Sequence, residues 1–194
     1  MKRIKVIVPV PMDEAGVAAR AEQLPAGFVR SGFQPEFVAV PWALRSRLDI
    51  PVVGPGEAAF AAAMMLGKKF TVLTMWPEWF PLYEKTLTEY GWWERVASLR
   101  SIETRPDVTE LLAGKEEVIF DKLREEAMLA INEDGADVIV LGSTTMHQSA
   151  KYLDDKLPIP VLNPGQVAYK FLETLIELGL THSKKAFPTP ELPK

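Results

Sequence analysis

Cysteine is absent from all 194 residues, and that zero excludes disulfides, thiolate metal sites and thiol catalysis together. Histidine is scarce, with only His147 and His182. Positive charge is not in excess: 22 Lys and Arg stand against 26 Asp and Glu, for a formal net charge of −4. The basic face that nucleic-acid binding needs is therefore not expected. No apolar run approaches bilayer length, and the opening MKRIKVIVPV becomes a strand pattern too soon for a signal peptide. These absences predict a cytoplasmic protein with neither a nucleic-acid nor a membrane partner. No His/Asp/Glu spacing suggests a metal, and GPGEAA at 54–59 lacks phosphate-loop spacing. Neither a metal nor a cofactor is expected.

What is present is enough apolar material, 47% of residues, for one ordinary domain or two small ones. Strand-like runs alternate with helix-like ones. Strands are predicted at 4–10, 35–40, 50–54, 69–74, 96–103, 137–142 and 159–163. Helices are predicted after Met12, over the Ala-rich stretch from 55, over 81–90, 115–134 and 147–157, and finally over 166–178. In the long helix Val118, Ile119, Leu123, Ala127 and Ile131 fall on one side. The tail 181–194, with three prolines and little to bury, is expected to be loose or to lie on a partner, with His182 solvated. Alternation of this kind predicts an α/β fold, parallel sheet with helices on both faces. A second series of units begins near Lys68.

In such folds ligands sit beyond the carboxyl ends of the strands. The stretch DVIVLGSTTMH at 137–147 places Gly142, Ser143, Thr144 and Thr145 at such an end. Amides there, at a helix N-terminus, favour an anion, and hydroxyls add donors. Helix capping is the plainer reading, but one cap needs one hydroxyl, not three. His147 is either a general acid or base near neutral pH or a surface histidine in a first helical turn. Thr74 ends another strand, with Trp76, Trp79 and Phe80 close by as a pocket wall or an interface. Pro11 follows the first strand and joins the candidate substrate-binding set. Glu57, in the first turn of its helix, suits the helix dipole.

The chain resembles the aspartate/glutamate/hydantoin racemase superfamily. VLGSTTM is similar to its second-half motif, in which LGC is usual. IPVVGPGEAAFAAAMMLGKKFTVLT resembles the hydantoin and allantoin racemase branch, and ERVASLRSIE, GADVIVLG and IPVLNPGQVAYKFLETL extend the likeness over most of residues 3–180. The resemblance implies two similar α/β lobes with the active site between them: 1–68 plus 164–182, and 69–163, followed by a flexible 183–194 tail. It implies an isomerase- or lyase-type enzyme on a small carboxylate or cyclic ureide. A non-catalytic small-anion-binding protein, or an inactive shortened scaffold, is the alternative.

Three departures qualify that implication. Family racemases use two cysteines, one from each lobe, as bases on opposite faces of a carbon acid. Ser143 stands at the second position, and an unassisted hydroxyl is far too weak a base to replace a thiolate. EFVAVPWALRSRLDIPVVG also joins two family strands almost directly, so about one βαβ unit is missing between them. VPVPMD replaces the branch's Asn-Pro-Asn type turn. A shortened lobe would expose apolar sheet, and with Trp42, Trp76, Trp79, Trp92 and Trp93 close in sequence a homo-oligomer is expected.

Overall fold

The computed structural model describes residues 41–105 and 117–189. The strands expected at 4–10 and 35–40, and Pro11, lie outside them. Four strands form one parallel sheet: β1 (Phe70–Thr74), β2 (Val96–Ser101), β3 (Val138–Leu141) and β4 (Val161–Leu162), in the order β2-β1-β3-β4. The two inner strands, FTVLT and VIVL, are buried at every position, as strands covered on both faces must be. β2 is half-buried throughout and pairs only with β1 among the described residues.

Two separate apolar clusters cover the faces. On one face α2 (Pro55–Leu66) and α3 (Phe80–Glu89) set Ala59, Phe60, Ala63 and Leu87 against Phe70, Val72, Val138 and Val140. On the other, α4 (Phe120–Asn132) and α5 (His147–Asp154) bring Leu123, Ala127, Ala130 and Leu153 against Leu73, Ile139 and Leu141. Alternate residues of each central strand thus feed different clusters, the period-two consequence of the pleat. The last helix, α6 (Pro164–Glu177), packs on α2. So α2, which a boundary at residue 68 leaves to the first lobe, covers the sheet that begins at residue 70.

Several sequence expectations are corrected. The IPVVG segment is not a strand; residues 51–54 are irregular, and the preceding 41–47 stretch is a helix, α1 (Pro41–Arg47). The physical reason is visible at Val52. Its carbonyl accepts from Arg45 Nε and Nη2, both at 3.2 Å, and its N–H donates to His182 Nε2 at 2.5 Å. Side chains satisfy the backbone that a neighbouring strand would otherwise pair. His182 is accordingly half-buried, not solvated. Residues 181–187, part of the tail expected to be loose, lie on α1. There Lys184 Nζ reaches the carbonyls of Arg45, Ser46 and Leu48, and Phe187 meets Trp42 edge-on at 5.8 Å.

The helix predicted over 115–134 is α-helical only from Phe120, after a short 3-10 turn at Glu117–Ile119. Val118 is 85% exposed and leaves the buried face, while Ala130 joins it. Among the described residues no helix is long and apolar enough to cross a membrane.

Candidate functional site

Parallel register aligns the strand ends that carry the candidate residues. Leu73 pairs with Leu141, and Val140 with Leu162, so Thr74 comes level with Gly142, and Asn163 with Leu141. The chain leaves β3 at Gly142, whose N–H donates to Leu73 O at 2.8 Å. Gly142 does not need a positive φ; it needs space. An added Cβ would run into the Tyr83 hydroxyl and come within 2.8 Å of Thr74 Cβ and 2.9 Å of Thr74 Oγ1.

Those neighbours form a small network behind the turn. Tyr83, on α3, donates to Gly142 O at 2.9 Å. Its hydroxyl also lies 3.0 Å from Thr74 Oγ1. A phenol has one proton to give, so Thr74 is the donor in that second bond. Thr74 is fully buried, and its hydroxyl supports the turn from behind through Tyr83. Burial pushes the Tyr83 phenol up to about 12, with the Thr74 bond opposing, so the group stays a protonated donor throughout the physiological range.

The hydroxyls in front of this network are half-buried and are arranged around one another. Ser143 Oγ lies 2.8 Å from Thr145 Oγ1 and accepts from Thr145 N at 3.2 Å. Met146 N donates to Ser143 O at 3.2 Å, closing the turn, and the fully buried Met146 side chain anchors it in the core. Met146, not a hydroxyl residue, stands at the N-cap of α5, which has no side-chain cap. The plain capping reading of the three hydroxyls is thus not what the structure uses them for. The amides of Ser143 and Thr144 donate to none of the described residues. His147 opens α5 one helical turn beyond Ser143 and is half-buried.

Sequence reasoning brought Gly142, Ser143, Thr144, Thr145, Thr74 and His147 to one sheet end, and the structure places all six there; Pro11 lies outside the described residues. Tyr83 and Asn163 were missed. Tyr83 carries no motif, since one tyrosine inside a helix reads as packing. Asn163 follows β4 and caps α6, accepting from Gly165 N at 2.9 Å and Gln166 N at 3.4 Å. Its buried Nδ2 has no partner among the described residues. The LNPG sequence, Asn before Pro at a first helical position, was the available signal for that cap.

A second polar cluster involves Glu57, in the first turn of α2. The Arg45 guanidinium, 5% exposed as a residue, bonds Glu57 Oε2 at 2.5 Å and Tyr90 at 3.1 Å, and Tyr90 donates to Glu57 Oε1 at 2.6 Å. Burial works against the Arg45 charge, but Glu57 and Tyr90 outweigh it and leave the pKa raised. Among the described residues no group of three or more acidic or histidine side chains is placed to hold a metal ion.

The model of the Asp/Glu/hydantoin racemase family matches residues 12–172. The chain belongs to that family. A hydantoin racemase from Pseudomonas sp. (strain NS671) is 35% identical over 150 residues, covering 77% of this chain and 59% of the relative. Among solved structures, an allantoin racemase from Pseudomonas fluorescens superposes with a TM-score of 0.73 at 33% identity, covering 79% of this chain and 65% of that one. An allantoin racemase from Klebsiella pneumoniae gives 0.70 at 32%, covering 79% and 62%. The chain spans about six-tenths of the length of the curated racemases it matches, 59% of each of the first two. The α/β fold, with a parallel sheet flanked by helices, is the one these neighbours share.

Proposed function

We propose that the 142–145 turn binds a small carboxylate or cyclic ureide, and that the protein is an isomerase- or lyase-type member of the racemase family working without thiols. The observation that carries this reading is the turn itself. A family strand end keeps two amides directed to no described acceptor, beside hydroxyls that do not cap the following helix. Backbone donors fixed at a strand end stabilise a carboxylate or a developing enolate without reorganising. Relatives at 35% and 33% identity are named as hydantoin and allantoin racemases, which supports a cyclic ureide among the candidate ligands.

Two-thiol racemisation is not part of this reading, because the sequence holds no cysteine at all. Ser143 occupies the place where the family motif has one, and His147 is the nearest titratable side chain in sequence able to assist it. A second reading has its own observation. Ser143 Oγ already accepts from Thr145 N and pairs with Thr145 Oγ1, which suits a binding turn better than a base. Under that reading the protein grips the anion and nothing reacts.

Exchange of the α-proton of hydantoins, allantoin, aspartate and glutamate in deuterated water separates the two. Exchange that survives thiol-blocking reagents and falls in His147→Gln supports the enzyme. Saturable binding with no exchange supports the non-catalytic reading, and neither binding nor exchange refutes both. A homo-oligomer belongs to the same proposal, supported by the exposure of two large aromatic side chains, Trp42 at 51% and Trp93 at 44%.

A further inference from the structure

We propose that Tyr83 is a positioning residue for the ligand-binding turn: by holding the Gly142 carbonyl from α3, it fixes the peptide whose N–H, that of Ser143, faces the ligand. The inference rests on the binding reading above and adds a residue that no sequence motif marks.

The geometry is that of a single peptide plane. No peptide among the described residues is cis, so the Gly142 C=O and the Ser143 N–H point in opposite directions. Tyr83 donates to the carbonyl at 2.9 Å; the Ser143 N–H therefore points away from α3. If this peptide flipped, the carbonyl would face the ligand and repel an anion. Flipping is easiest next to glycine, whose backbone meets few steric barriers. Yet glycine is required here, because Thr74 and the Tyr83 hydroxyl leave no room for a Cβ. The residue that close packing demands is thus the one least able to hold its own peptide, and Tyr83 supplies the restraint. Thr74 Oγ1, 3.0 Å from the phenol oxygen, directs the phenol proton towards Gly142 by acting as donor itself. Burial keeps that proton in place, with the phenol at about 12.

Two variants and one wild-type measurement test this. In protein labelled with nitrogen-15 and carbon-13, malonate and hydantoin are the probes. Wild-type Ser143 and Thr144 amide resonances should shift saturably with each probe that binds. Tyr83→Phe keeps the ring and loses the donor; its affinity should fall by roughly tenfold, the value of one charge-assisted bond's orientation, and the Ser143 amide should broaden. Leu87→Val loosens the packing of the same helix, where Leu87 is fully buried, and leaves the Tyr83 donor on the carbonyl, so its affinity should stay within about twofold. Equal losses in both variants would mean general loosening of the packing and would overturn the clamp. Unchanged affinity in Tyr83→Phe would also overturn it while leaving the binding reading intact. Absence of any saturable shift in the wild type would remove the binding reading and this role with it. Should Tyr83→Phe fail to fold, the wild-type Gly142 carbonyl carbon still decides. A downfield position supports the side-chain bond, and a position typical of an unbonded carbonyl overturns it.

Discussion

The two polar regions of this molecule follow opposite plans. Around α1, the Arg45 guanidinium meets Glu57, Tyr90 and the Val52 carbonyl, and residues 181–187 close over it, with Phe187 centred 5.6 Å from the guanidinium carbon. Donors and acceptors answer one another within the cluster. At the 142–145 turn the backing is as tight, with Tyr83, Thr74 and Gly142 in mutual contact, but the forward amides of Ser143 and Thr144 answer to nothing among the described residues. Charge with complete pairing is a sign of structure, because a buried ion left without its partner is costly. Fixed neutral donors without partners are a sign of binding, because they stabilise charge that arrives from outside. The contrast points to the neutral turn rather than the more strongly charged cluster as the candidate site, against the usual habit of reading function from charge.

The largest expected effect tests the first half of that contrast. Arg45→Ala should cost about 3–5 kcal/mol, the usual consequence of removing one partner of a buried pair, since Glu57 would keep only Tyr90 and Val52 O would lose both donors. Denaturant unfolding measures it. A loss near that of an exposed ion pair, under about 1 kcal/mol, would show that the cluster is solvated and that the contrast fails. Malonate binding should be unaffected at temperatures where the variant remains folded.

Gly142→Ala tests the other half. Its Cβ would meet Thr74 at 2.8–2.9 Å as well as the Tyr83 hydroxyl, so overpacking should cost about 1–3 kcal/mol. Binding should be lost altogether, since the turn must move to accept the methyl group. A variant that binds the probe like wild type would mean that the turn tolerates displacement and that its rigidity has no bearing on the ligand.

These two regions also mark what the sequence made legible. The β3–turn–α5 unit was readable because an apolar run, a glycine and a polar cluster each have a local cause: burial on both faces, close backbone approach, exposed donors. The alternation of units gave the parallel sheet for the same reason. The α1 corner was not readable, because its logic is long-range. IPVVG has every local mark of a strand, yet Val52 is held by Arg45 seven residues earlier and His182 130 residues later. Tertiary partners overrode a β propensity that reflects packing context more than backbone preference. Tyr83 was hidden likewise: its role depends on a carbonyl 59 residues away.

The aromatic skin of the corner gives the next test. Trp42 and Trp92 both pack on Tyr90, at 6.5 Å edge-on and 4.6 Å stacked, so part of this surface is used within one chain. Trp93 remains 44% exposed. If copies of the chain associate through this side, Trp92→Ser with Trp93→Ser should weaken self-association by at least about tenfold, as expected when aromatic anchors leave an interface, while probe binding at the turn changes little. Sedimentation over a wide concentration range measures it. A wild type that stays monomeric throughout would confine these rings to intrachain packing.

The smallest effect concerns pH and the closing segment. His182 accepts from the Val52 amide through Nε2, which only the neutral ring can do. Burial and then the Arg45 charge lower its pKa from 6.5; Lys184 adds to this, while the Glu57 charge opposes it. The native state therefore binds fewer protons here than the unfolded chain. The stabilisation is present above pH 6.5 and is lost as pH falls through the depressed native value. Protonation would remove the acceptor and place a third cation beside Arg45 and Lys184. The segment 181–187 should then loosen from α1 before the rest of the protein responds, because its other ties are few: Thr181 to Asp49 O, Lys184 to the carbonyls at the end of α1, and Phe187 against Trp42 and Arg45. Hydrogen exchange at the Val52 amide, corrected for intrinsic rate and followed from about pH 8 to about pH 5, should show protection falling below pH 6.5 while the central strands keep theirs. His182→Gln, whose amide oxygen can accept the same bond at any pH, should flatten that profile. Protection at Val52 that is level with pH in the wild type would mean that the Trp42–Phe187 contact, not the imidazole, holds the segment in place.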